Sequence, residues 1–287
     1  MPPSAPAIRA TVLRYLERHP DERAALQPLL ALLDRAPEPT SRATLPAHIT
    51  CSAVVIDRER RVLHIHHRAT GGLRLCPSGH FEAGDPSLRE AALREVCEEA
   101  GLAPGGLCLT PQLLGTPLDI DVHEIDADPA KGEPAHRHYD IRFAFYLTPG
   151  RPAVVDPQAE EVSGAEWRPF DQVGSPSLRA KLLAAGLDGR VEPVNASAVI
   201  HDGRGRYLLH LRDDYPGIWA PGEFSLLGGG REPHDRTLED TLRRELAEEA
   251  PGLQPGALEP FTVEFATGTG GLCVPVQIFF PLFRSVS

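Results

Sequence analysis

Lysine is almost missing from this sequence. Lys131 and Lys181 are the only two among 29 basic residues, so arginine supplies nearly all the positive charge. Positive charge itself is scarce: 40 acidic residues leave a net charge of −11. That balance excludes a protein that grips a nucleic-acid polymer or an anionic membrane through its overall field. Any chemistry on phosphates must be managed locally, by arginines or by a divalent cation. No CxxC pair occurs, and the five cysteines (Cys51, Cys76, Cys97, Cys108, Cys273) are odd in number. They are expected to be reduced, buried small hydrophobes, not a zinc site or a disulfide frame. Long apolar runs are absent too. The opening residues carry charges throughout, without the apolar core of a secretory signal. The most apolar later run, Val276–Phe283, is far shorter than the roughly 20 residues of a membrane span and contains Pro281. A cytoplasmic setting is expected.

What is present is ordinary globular material, with 41% hydrophobic and 24% charged residues. The 26 glycines and 29 prolines follow no period, which excludes a collagen-like repeat. A length of 287 residues suits two domains of about 100–200 residues. Residues 7–34 show helical spacing with a break at Pro20-Asp21, and a proline-rich joint follows at 36–40. Strands are expected at Ile49–Ile56, Arg61–His66, Leu113–Val122, Tyr139–Leu147 and Ala165–Arg168. A polar loop at Pro77–Pro86 leads into a helix over Ser87–Ala100, stopped by Gly101. Pro169–Ala185 is expected to end in a helix, and Gly186–Pro193 to be a linker. The divisions expected are a helical segment at 1–47, a first domain at 48–188 and a short second domain at 189–287.

The chain then repeats itself. Gly79, Glu82, Asp85, Leu88, Arg94, Glu95, Glu98 and Glu99 recur as Gly229, Glu232, Asp235, Leu238, Arg244, Glu245, Glu248 and Glu249. Every pair keeps one offset (229 − 79 = 150, 249 − 99 = 150), which marks an internal duplication. On a helix, Glu95, Glu98 and Glu99 share a face, while Leu93, Val96, Cys97 and Ala100 form the face expected to meet a core. Like charges at those spacings repel, by roughly 0.2–0.5 kcal/mol per pair. Converging hard oxygens are what Mg²⁺ or Mn²⁺ requires. An acidic hexapeptide alone is usually a solvated helix face. The preceding glycine loop, the acid nine residues before each arginine and the duplication outweigh that reading.

These stretches, GHFEAGDPSLREAALREVCEEAGL (79–102) and GGREPHDRTLEDTLRRELAEEAPGL (229–253), resemble the Nudix hydrolase box, Gly-x5-Glu-x7-Arg-Glu-U-x-Glu-Glu-x-Gly-U with U aliphatic. Both depart alike: an aspartate replaces the loop glutamate, and eight residues, not seven, separate it from the arginine. The second copy also has Pro251 before Gly252, and the first reads Pro77-Ser78-Gly79 where Pro-Gly-Gly is common. The resemblance implies an α+β, α-β-α sandwich architecture: two Nudix-type domains with mixed sheets, here preceded by the N-terminal helical segment. It also implies divalent-metal-dependent cleavage of a nucleoside diphosphate linked to another moiety. Carried over, Glu95, Glu99, Glu245 and Glu249 would be the leading metal ligands. Glu98 and Glu248 would add a ligand or position water, and Glu95, Glu98, Glu245 and Glu248 would carry the catalysis. Asp85–Arg94 and Asp235–Arg244 would be structural ion pairs. Backbone groups at Ser78, Gly79, Gly228 and Gly229 would meet the metal and the diphosphate. A general base in this family can come from a separate loop, with Glu124, Asp126 or another acid in 119–128 as candidates.

Weaker signals are read both ways. Alternation puts His64 and His66 on one strand face and His67 on the other, which speaks against a metal site there. His67-Arg68, at the strand's end, is a candidate for substrate contact. The run His136–Phe143 is either a polar strand edge or a specificity pocket. Tyr215, Trp219 and Phe224 either pack together or stack on an aromatic leaving group. Only 35 residues follow Gly252 (287 − 252), so the second domain is short. It would be incomplete, capped by the N-terminal helices, or completed by another subunit, as in a homodimer. The first domain is expected to be the principal site for a small-molecule diphosphate substrate. The rival readings are a catalytically silent nucleotide or diphosphate sensor, and a prenyl diphosphate enzyme on the same scaffold.

Overall fold

The computed structural model describes residues 2–68, 73–110, 113, 116–130, 132–147, 162–188, 193–202, 204–215, 221–267 and 273–282. Two helices come first, α1 (Ala5–Arg18) and α2 (Gln27–Arg35), each with a proline in its first turn, where no amide is needed. The first sheet holds β1 (Ala47–Ile56), β2 (Arg61–His67), β3 (Arg74–Leu75), β4 (Ser78–Gly79), β5 (Leu107–Leu109), β6 (Asp119–Ile125), β7 (His136–Leu147) and β8 (Val162–Pro169). Its main path runs β3-β2-β1-β7-β5, with β4 on β1, β6 on β7 and β8 on β2. The β1–β7 pair is parallel and the other pairs are antiparallel, so the sheet is mixed.

Helix α3 (Leu88–Ala100) lies between β4 and β5, and α4 (Pro176–Ala184) follows β8. The second sheet, ordered β12-β9-β14-β13, comprises β9 (Asn195–Ala198), β12 (Leu227–Gly230), β13 (Leu258–Thr267) and β14 (Cys273–Pro281). A small β10–β11 ribbon (His210–Leu211, Phe224–Ser225) precedes helix α5 (Leu238–Glu249). The second sheet repeats the centre of the first: β9 pairs parallel with β14 as β1 does with β7, and antiparallel with β12 as β1 does with β4.

Odd and even positions of β1 and β7 face different surroundings, as period-2 alternation requires. Ile49, Cys51, Ala53 and Val55, with Tyr139, Ile141, Phe143 and Phe145, pack against α1, α2 and α3. The even positions change character along the strands. At their far ends Val54, Ile56, Ala144 and Tyr146 join α4 and the second sheet's Phe261, Val276, Ile278 and Phe280 in one apolar cluster. At their near ends stand His48, Thr50, Ser52, His138, Asp140 and Arg142.

Several expectations need correction. The N-terminal helices pack on the first sheet and do not cap the second half; α4 and the first sheet cover it instead. No counterpart of β8 or α4 follows β14 among the described residues. Within Leu113–Val122 only the part from Asp119 is strand, and residues 114–115 lie outside the described residues. The run His136–Phe143 is no sheet edge, because β7 pairs with β1 on one side and with β6 on the other. Cys97 is exposed and Cys76 half-buried, so only Cys51 and Cys108 match the buried reading among the cysteines whose side chains are described. Cys97 therefore leaves the buried face of α3, and Leu88, Ala91, Ala92, Val96 and Ala100 supply it. Residues 189–192 of the expected linker lie outside the described residues.

Candidate active sites

Each box is a loop closed onto a helix, and local chemistry sets where the helix begins. Ser87 accepts the Glu90 amide at 3.2 Å to cap α3, and Gly101 ends it with φ 67°. Thr237 and Asp240 cap α5 reciprocally, at 3.1 and 2.9 Å. Before each cap, the loop aspartate folds back on its own turn. Asp85 Oδ2 accepts the Glu82 amide at 2.8 Å, and Asp235 Oδ2 accepts the Glu232 amide at 2.9 Å.

The box arginines tie loop to helix. Arg94 donates to both oxygens of Asp85 at 3.1 Å, to the His80 carbonyl at 2.7 Å and to Glu98 at 2.7 Å. It also lies 2.9 Å from Glu95. Arg244 repeats the pattern with Asp235 at 3.1 Å, the Gly230 carbonyl at 2.9 Å and Glu245 at 2.8 Å. Its bond holds the Asp235 carboxyl down at about 2.

The carboxylates diverge from a simple shared face. Glu95 and Glu99 are buried and turn toward the loop, whereas Glu98 is half-exposed beside Arg94. Glu99 Oε2 accepts the Ser78 amide at 2.8 Å, and Glu249 Oε2 accepts the Gly228 amide at 2.9 Å. A Cβ on Gly79 would overlap the Glu95 carboxylate, and one on Gly229 the Glu245 carboxylate. These glycines therefore form cradles that let a charged oxygen lie against the backbone. Gly228 adopts φ 139° against the Ala196 carbonyl, while Ser78 has no positive φ. That difference explains how a serine fits the first loop.

An imidazole completes each cluster: His67 Nε2 lies 3.6 Å from Glu99 Oε1, and His210 Nδ1 lies 2.9 Å from Glu249 Oε1. Burial lifts the Glu95 carboxyl to about 7 against the pull of Arg94. Glu245 is raised for the same reason, with Arg244 opposing. Carboxylates turned toward a glycine loop, buried in the first box and half-buried in the second, form a hard-oxygen donor set that fits a divalent cation.

Other candidates are placed elsewhere. Glu124 accepts the Arg137 Nε at 2.7 Å, Asp119 and Asp121 lie 3.0 Å from Arg142, and Asp126 is exposed. His66 lies 3.6 Å from Glu166, and Arg68 follows His67 at the surface. Tyr215 and Phe224 are exposed, 65% and 67%, so they do not pack together in a core; Trp219 lies outside the described residues. Sequence spacing missed His80, whose carbonyl Arg94 holds, and His210 as the partner of Glu249.

The NUDIX domain model matches residues 46–186 and 191–280, the greater part of the chain. Among solved structures, an Ap4A hydrolase of C. elegans is 17% identical, over 47% of this chain and 95% of that one, with a TM-score of 0.37. The E. coli dihydroneopterin triphosphate pyrophosphohydrolase is 20% identical over 47% and 92%, with a TM-score of 0.35. An ADP-ribose pyrophosphatase of Streptococcus suis is 18% identical over 47% and 89%, with a TM-score of 0.33. No curated protein matches the sequence. Among the described residues, no helix is long and apolar enough to cross a membrane. The chain belongs to the NUDIX domain family, whose model it matches over two successive segments.

Proposed function

We propose that the chain hydrolyses a diphosphate linkage in a nucleoside diphosphate joined to another moiety, using Mg²⁺ or Mn²⁺. The reading takes 48–188 and 189–287 as the two domains, with 1–47 as a helical segment on the first. The observation that carries it is the Glu95 carboxylate held against Gly79 beside Glu99 on the Ser78 amide, repeated at Glu245, Gly229, Glu249 and Gly228.

In this reading Glu95, Glu99, Glu245 and Glu249 hold the cation, with Glu98 and Glu248 beside them. When bound, the cation would neutralise the diphosphate and polarise its phosphorus. The protein's own part is positioning. Arg94 fixes the loop through Asp85 and the His80 carbonyl, and so sets the distance between backbone and helix carboxylates. The Ser78 amide orients Glu99, which leaves its second oxygen toward His67. Glu98, half-exposed on the same helix, can take a proton from water attacking in line. No nucleophilic side chain is needed, because phosphoryl transfer depends mainly on positioning and charge stabilisation.

The first domain is the principal site in this reading. Its Arg94 holds both Asp85 oxygens, whereas Arg244 Nε is buried without a hydrogen-bond partner. Thiols without disulfide partners at Cys51, Cys76, Cys97 and Cys108 support a cytoplasmic setting. The test is Mg²⁺-dependent release of nucleoside monophosphate, screened across nucleoside triphosphates, dinucleotides, nucleotide sugars and prenyl diphosphates. Turnover should fall at least 100-fold in Glu95→Gln and much less in Glu245→Gln. Loss only in Glu245→Gln would reverse the assignment of the principal site. Binding without turnover on every class would replace hydrolysis by sensing.

A further inference from the structure

Outside the two boxes, five imidazoles meet at the polar near end of the first sheet. His48, His138 and His123 are register neighbours across β1, β7 and β6. His136 stands two residues before His138 on the same strand, and His80 reaches in from the box loop. The His48 ring centre lies 4.6 Å from His138, 5.0 Å from His136 and 5.1 Å from His80. The Nε2 atoms of His136 and His138 are 3.0 Å apart, and those of His48 and His80 are 3.1 Å apart. One nitrogen from each of His48, His136 and His138 lies within 4.8 Å of the others.

The outer nitrogens show which way the lone pairs point. His48 Nδ1 lies 3.3 Å from the Thr44 carbonyl, and His136 Nδ1 lies 2.9 Å from the Pro134 carbonyl. A carbonyl only accepts, so each Nδ1 carries the proton and each Nε2 turns a bare lone pair into the cluster. That is how a ligating histidine is held in the right tautomer.

We propose that His48, His136 and His138 bind a transition-metal cation of the zinc class at a site distinct from the carboxylate boxes. Imidazole nitrogens suit zinc, nickel and copper, whereas magnesium takes oxygen. Nitrogens bound to one zinc ion at about 2.0–2.1 Å lie about 3.3 Å apart in a tetrahedron; the His136 and His138 nitrogens are near that spacing at 3.0 Å, and all three ligand nitrogens lie within 4.8 Å of one another.

His80 connects this site to the first box. Its Nδ1 accepts from Arg42 at 3.0 Å, so its Nε2 carries the proton and donates to His48. A cation on His48 would take that lone pair and release the His80 ring, while Arg94 holds the same residue's carbonyl.

The experiment titrates the intact chain with Co²⁺ in excess Mg²⁺, so that the boxes are filled with the hard cation. One equivalent of Co²⁺ should bind, with the visible absorption of a nitrogen-rich, low-coordinate site, and Zn²⁺ should displace it. His136→Gln with His138→Gln should weaken binding by at least the roughly 100-fold that loss of an outer-shell partner can cause. X-ray absorption on the zinc-loaded wild-type chain in Mg²⁺ gives a readout that does not depend on the variant folding. Three imidazole ligands are expected there. No stoichiometric Co²⁺ binding, an oxygen-dominated shell, or unchanged affinity in the folded double variant would each overturn the proposal.

Discussion

Arg94 holds both oxygens of Asp85 at 3.1 Å, nine residues away across the junction of loop and helix. The pair joins the loop to the helix, and both partners are largely shielded from water. Asp85→Ala would leave the guanidinium with only Glu95 and Glu98 of its own helix as charge partners and the Glu82 amide without its acceptor. We expect a loss of about 2–3 kcal/mol, below the full cost of breaking a fully buried pair, read by urea denaturation. Turnover should fall with it even at saturating Mg²⁺, because the loop would no longer set the cradle. Unchanged stability would show that the pair is not structural.

Gly79→Ala places a methyl where the Glu95 carboxylate lies, and Gly229→Ala does the same to Glu245. A flexible carboxylate can move aside, so the fold should survive while metal affinity and turnover collapse, in the first domain above all. Gly228→Ala differs. Its Cβ would meet the backbone of Ala196 at φ 139°, which cannot yield, so the expected readout is a lowered melting temperature. Equal thermal stability for the Gly79 and Gly228 variants would contradict this.

The Glu95 carboxyl, raised from 4.5 to about 7 by burial, ties metal binding to pH. Between those values the folded state binds a proton that the unfolded chain has released. Stability of the metal-free protein should therefore fall as pH rises from about 4.5 to about 7. Cation affinity should rise over the same interval, because the cation competes with that proton. Calorimetry in buffers of different ionisation enthalpy should show protons released on binding near pH 6 and almost none near pH 8. Glu95→Gln should abolish the difference.

The two halves share a buried polar contact. Tyr146 of β7 donates its hydroxyl to Glu264 of β13, and Arg60 stacks 5.4 Å over the same ring. Arg60 also donates to the Leu187 carbonyl at 2.9 Å. Tyr146→Phe would remove one of the two hydroxyls that reach Glu264 Oε1, leaving Thr262 at 3.2 Å, and should cost about 1–3 kcal/mol. With the apolar cluster joining both sheets, wild-type unfolding should be one transition. Two separate transitions would mean that the halves fold independently.

Local pattern carries far in this chain. The 150-residue offset, the capped helices and the alternation of β1 and β7 follow from side-chain spacing along a regular backbone, which any reader of the sequence can apply. The pairings of Arg94 with Asp85 and of Arg244 with Asp235 were implied by the resemblance to the Nudix box, and the structure forms both. Alternation also separated His67 from His64 and His66, and only His67 reaches a box carboxylate.

Partners far apart in sequence were decided by tertiary structure alone. His48 and His138 come together because β1 and β7 pair in parallel, and His80 joins them because β4 pairs with β1, registers that no local spacing encodes. Cys97 lies outside the core because α3 packs through alanines close against β1, rotating the helix away from the face its apolar spacing suggested. The second half is covered by α4 and the first sheet because its own apolar face, which no described segment after β14 shields, gains most by burial against the nearest apolar surface.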